Sequence, residues 1–76
     1  MNGNDAVSER LGAVVANCEL LTVYEEPNET SEIVMEIPIG AEVMIDLTTS
    51  TDTFYKICNA AGIEGYCKKQ FIESQA

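Results

Sequence analysis

Between Leu21 and Gly40 the chain reads as two short apolar runs held apart by turn-forming residues. Leu21-Thr22-Val23 alternates apolar and polar, so Leu21 and Val23 turn to one face of a strand and Thr22 to the other. Glu25-Glu26-Pro27-Asn28 ends that run, because Pro27 donates no backbone hydrogen bond and Asn28 tolerates turn conformations. Glu29-Thr30-Ser31-Glu32 continues the loop. Ile33 to Ile37 is apolar without clean alternation, which fits a strand that bulges or changes face as it bends. Pro38-Ile39-Gly40 then turns the chain, with Gly40 expected at positive φ.

The same grammar runs through the rest of the sequence. Ala13 to Ala16 is a short apolar run, and Glu42 to Leu47 is the cleanest strand. Its alternation predicts Val43, Ile45 and Leu47 inward, with Glu42, Met44 and Asp46 outward. Thr48 to Thr53 is a polar loop. In Phe54–Cys58, Tyr55 and Ile57 share one face, while Phe54, Lys56 and Cys58 share the other. Asn59-Ala60-Ala61-Gly62 reads as a hairpin turn with Gly62 in the left-handed position. Ile63 to Cys67 returns as the partner strand, and Gly65 inside it marks a kink or a close backbone approach. Lys68-Lys69-Gln70 resembles a tight helical turn, and Phe71-Ile72 closes the core.

At the N-terminus, Asp5 is expected to cap a short helical turn through Leu11 that Gly12 ends. Residues 1–12 are thus a lead-in, 13–73 the folded domain and 74–76 a polar tail. The fold class is all-β: a small barrel of five to seven short antiparallel strands, with a short 3-10 turn near the C-terminus.

Composition narrows the chemistry. The chain has no His, which removes the commonest general base and the commonest metal ligand. Neither a Ser-His-Asp nor a Cys-His arrangement can be built within it. Cys18, Cys58 and Cys67 form no Cys-x-x-Cys pair and have no His to complete four zinc ligands. They read as small buried hydrophobes, with one disulfide as the alternative in an oxidising compartment. Asp46 and Asp52 frame no cleft, so no catalytic residue, metal or cofactor is assigned. Thirteen acidic residues stand against four basic ones, a formal charge of −9. Only Lys56, Lys68 and Lys69 can cluster, which points away from nucleic acid and from anionic membrane surfaces. A cationic or neutral partner is electrostatically allowed, although an acidic surface also serves solubility. No apolar run approaches the roughly 18–20 residues of a membrane span.

In this order, the motifs resemble those of bacterial SH3-like (SH3b) domains. Leu21-Thr22-Val23-Tyr24 matches the opening strand, Pro27 the proline after it and Gly40 the turn glycine. Phe54-Tyr55-Lys56-Ile57 is similar to the family's Trp-containing strand. Gly62-Ile63-Glu64-Gly65-Tyr66-Cys67 is similar to its hairpin return, and Phe71-Ile72 to its close. The match spans Val14 to Ile72. It departs from the pattern at Thr22 and Tyr24, where Asn and Arg are usual, at Phe54 in place of Trp, and at Cys67 in place of a branched aliphatic.

The resemblance implies a non-catalytic module that binds cell-wall peptidoglycan or a peptide, often attached to an envelope enzyme. It sets the ligand groove beside the loop from Tyr24 to Glu32. The residues expected there are Tyr24, Phe54, Tyr55 and Tyr66, whose rings give a peptide or sugar a wide apolar face. Glu25, Glu26 and Glu29 are expected to receive an ammonium group. For an exported parent protein the location is the cell envelope or the extracellular space. The N-terminus has no signal-peptide pattern, so the alternative is cytoplasmic: a protein–protein interaction domain, intracellular or phage-encoded.

Overall fold

The computed structural model describes residues 10–74. They form seven strands: β1 (Arg10–Val15), β2 (Leu20–Tyr24), β3 (Ile33–Pro38), β4 (Glu42–Asp46), β5 (Phe54–Cys58), β6 (Glu64–Lys68) and β7 (Ile72–Ser74). Two lone 3-10 turns, Leu47–Thr49 and Lys69–Phe71, interrupt them. All strands belong to one antiparallel sheet in the order β3-β2-β6-β5-β4-β1-β7.

Register follows the hydrophobic alternation. Leu11 faces Ile45 and Ala13 faces Val43 across β1 and β4, and Leu21 faces Ile37 across β2 and β3. A slip by one residue would turn each of these side chains to solvent, which is why the pattern fixes the pairing. Every strand adds to one core: Ala13 and Val15, Leu21 and Val23, Ile37, Val43 and Ile45, Ile57, Cys67, and Ile72. Burying each large aliphatic among them contributes about 1.5–3 kcal/mol. Both edge strands reach this single core, so the sheet curls over it. Backbone bonds fasten the curl: Gly40 N–H donates to Val15 C=O at 2.8 Å, and Ala16 N–H to Phe71 C=O at 2.8 Å.

The sheet is not closed into a barrel, contrary to expectation. β3 and β7 are free edges, and β2 meets β6 at one pair, Tyr24 with Tyr66. β7 has only three residues. β3 carries a bulge opposite Val23 and Tyr24 and ends at Pro38, which has no N–H to give a ladder. Neither edge offers a long regular ladder to the other.

Three local expectations also change. Arg10–Gly12, read as part of the lead-in, belongs to β1, where Gly12 lies opposite Met44 instead of ending a helical turn. β4 supplies the partner that the sequence alone does not reveal. Asp5 lies outside the described residues. Leu47, expected inward, opens a 3-10 turn and is exposed, because Asp46 accepts Thr48 N–H at 3.0 Å and stops the strand. Of the cysteines, only Cys67 is fully buried; Cys18 and Cys58 are half-buried, and all three are free thiols. The turn glycines behave as read, with φ of 88° at Gly40 and 85° at Gly62.

Candidate functional site

Alternation decides which residues the outer face of the sheet presents. In β2, Leu21 and Val23 are buried, so Leu20, Thr22 and Tyr24 point outward. In β6, Gly65 and Cys67 are buried, leaving Tyr66 and Lys68 outside. Ile57 takes the core side of β5, which sends Phe54, Lys56 and Cys58 to the outer face. Register then aligns Tyr24 with Tyr66, Tyr66 with Lys56, and Lys68 with Phe54. Three aromatic residues from separate parts of the sequence thus converge.

Phe54 lies on this outer face yet is only 7% exposed. Tyr24 covers it edge-on, with ring centroids 6.3 Å apart and planes at 79°. That arrangement sets the positive edge of one ring against the negative face of the other, worth about 0.5–1.5 kcal/mol beyond area burial. Phe54 is therefore a floor beneath Tyr24, and Tyr66 stands on the same face as the cross-strand partner of Tyr24. Lys56 holds Glu64 at 3.4 Å, and its ammonium lies 5.9 Å from the Tyr66 centroid. Lys68 pairs with Glu29 of the β2–β3 loop.

Tyr55 stands apart from this cluster. It packs against the core on the opposite face, with Lys69 Nζ 4.9 Å from its ring centroid. The loop carrying Glu25, Glu26 and Glu29 is shaped by its own polar groups. Asn28 Oδ1 accepts Thr30 N–H at 3.0 Å and Thr30 Oγ1 at 2.7 Å. Ser31 Oγ accepts Glu26 N–H at 2.9 Å, and Glu25 N–H donates to Glu32 C=O at 2.8 Å. The three glutamates are exposed along the flank.

Beside the aromatic cluster runs a groove of about 260 Å³. Leu20, Thr22 and Tyr24 of β2 line it together with Lys68 and Phe71, and Cys18 and Glu29 complete the lining. Cys18, Leu20, Lys68 and Phe71 are members that the sequence alone does not assign to the site. Alternation with Thr22 and Tyr24 already sets Leu20 on their face. Lys68 and Phe71 arrive only through the tertiary fold. A second depression of about 230 Å³ lies where Gly12 leaves space beside Met44 and Cys58.

Burial raises the Cys67 thiol to about 12, with a smaller contribution from the nearby Cys18, and burial also raises Cys18. Both thiols therefore stay protonated near neutrality and are poor nucleophiles. Among the described residues, no three His, Cys, Asp or Glu side chains gather as a metal site, and no helix is long and apolar enough to cross a membrane. The arrangement offers two tyrosine faces, a groove and a rim of carboxylates, which suit adsorption of a ligand. The chain matches no family model, no curated protein and no solved structure.

Proposed function

We propose that this chain is a non-catalytic binding module of the bacterial SH3-like kind, with an incompletely closed sheet, and that it holds cell-wall peptidoglycan or a peptide. The observation that carries this reading is the sharing of one outer face by Tyr24, Phe54 and Tyr66, with Tyr24 edge-on to Phe54 and paired across strands with Tyr66, beside the β2 groove. Rigid aromatic faces supply contact area at small entropic cost, and the Glu25, Glu26 and Glu29 rim attracts ammonium groups of stem or cross-bridge peptides. Its setting is the cell envelope, as part of an exported protein.

Co-sedimentation with purified peptidoglycan at low salt tests this reading. The wild-type chain is expected in the pellet, and Tyr24→Ala is expected to weaken retention about tenfold, the effect of losing about 1.4 kcal/mol. Wild-type chain left wholly in the supernatant sinks the cell-wall assignment. The three free cysteines favour a second reading, a protein-binding domain in a reducing compartment. Alkylation of protein taken directly from cells separates the two: three modified thiols support the second, and a disulfide supports the envelope.

A further inference from the structure

One side of β2 presents main-chain groups to which no strand is paired. Ile39 N–H donates to Glu19 C=O at 3.0 Å, and the same register continues through Leu21 with Ile37 and Val23 with Met35. In an antiparallel ladder, bonded pairs alternate with unbonded ones. Leu21 and Val23 therefore direct N–H and C=O to β3, while Leu20, Thr22 and Tyr24 direct theirs toward β6. Tyr24 meets Tyr66 there, but the pairing stops at that residue. On the facing side, Lys69 N–H donates to Thr53 C=O at 3.0 Å, so the parity of the β5–β6 ladder turns Lys68 toward β2. The groove of about 260 Å³, lined by Leu20, Thr22 and Lys68 among others, lies where that pairing stops.

We propose that this groove takes an extended peptide as an added strand, bonded to N–H and C=O of Leu20 and Thr22, with small side chains facing inward and cationic ones outward. The inference rests on the binding-module reading and specifies its ligand. A peptide residue between those opposite Leu20 and Thr22 points to the side of Leu21, Val23 and Cys67, which are already fully buried. Glycine or alanine fits there, and a branched residue does not. Residues opposite Leu20 and Thr22 share their outer face, within the field of the exposed loop glutamates. Glu29 neutralises Lys68, so the field at the groove is negative, in keeping with the chain's charge of −9. The same charge opposes a second copy of the chain as the occupant.

The probe is the capped pentapeptide Lys-Gly-Lys-Gly-Lys, compared with Glu-Gly-Glu-Gly-Glu and Lys-Val-Lys-Val-Lys. With the first at saturation, amide exchange at Leu20 and Thr22 is expected to slow at least tenfold. Valine or glutamate in the peptide is expected to weaken binding at least tenfold. Thr22→Pro removes the groove-side donor, and Glu26→Lys reverses an exposed rim charge without touching the sheet; each is expected to lower affinity several-fold or more. Equal binding of the valine peptide, or binding with no protection at Leu20 and Thr22, overturns the added strand. Should peptidoglycan retention persist in that case, the module reading stands; loss of both retention and peptide binding overturns the two together.

Discussion

Gly65 sets how closely β6 approaches β2. A Cβ there would lie 2.5 Å from Val23 Cγ1 and 2.8 Å from the Tyr24 carbonyl oxygen, both closer than atoms tolerate. Gly65→Ala is therefore expected to cost about 1–3 kcal/mol by overpacking, and to loosen the Tyr24–Tyr66 pair. Urea unfolding measures the first effect and amide exchange at Tyr66 the second; unchanged values would mean that the strands can separate without strain. Cys67 gives a pH-dependent counterpart. Its folded thiol titrates at about 12, above the ordinary 9.0, so the folded state retains the proton that the unfolded chain releases. Its contribution is complete below pH 9 and declines as pH rises toward 12, by up to about 1.4 kcal/mol per pH unit. Cys67→Ala is expected to be less stable than wild type at pH 7, with the gap narrowing between pH 8.5 and 10.5 in urea midpoints. The sequence exposed Gly65 because glycine inside a strand marks close approach. It set Phe54 among the ligand-facing rings, because alternation assigns a face without revealing that Tyr24 covers it.

At the level of elements, strands with clean alternation were legible and their ends were not. β4 matches the expected strand through Asp46, but Leu47 leaves it because the Asp46 carboxylate caps a 3-10 turn, a local competition that hydrophobic periodicity does not register. β1 was read as starting late, since Arg10–Gly12 have little strand character until β4 pairs with them. The groove was still harder to see: it arises from the end of pairing between β2 and β6, a property of neither strand alone. The β5–β6 hairpin is where local sequence is most decisive. Asn59 Oδ1 accepts Ala61 N–H at 3.0 Å and Ile63 N–H at 2.9 Å, while Gly62 N–H returns to Asn59 C=O at 3.0 Å. Asn59→Ala removes both bonds to the amide oxygen at a partly solvated turn, together with a weak bond that Nδ2 donates to Met35 Sδ at 3.4 Å, and is expected to cost about 1 kcal/mol. A urea midpoint lowered by that amount, with the slope unchanged, checks it; an unaltered midpoint would mean that Gly62 alone secures the turn.

For the whole molecule the governing quantity is charge. Thirteen carboxylates and four basic side chains leave −9, and only two ion pairs, both solvent-exposed, offset the repulsion among the described residues. Exposed pairs contribute about 0–1 kcal/mol each, so screening them loses little. The dispersed negative charge acts over longer distances and opposes the compact state more than the unfolded chain. Raising ionic strength from about 0.01 M to about 1 M shortens the screening length from about 30 Å to about 3 Å, which relieves that repulsion. The melting temperature is therefore expected to rise with salt; a gain of about 1 kcal/mol corresponds to about 4–8 °C for a domain this small. Attraction between the acidic rim and a cationic peptide weakens over the same range. One sodium chloride titration thus moves stability upward and peptide affinity downward. Two curves moving together would mean that dispersed charge does not limit the fold, or that rim charge does not attract the ligand, and their individual slopes identify which.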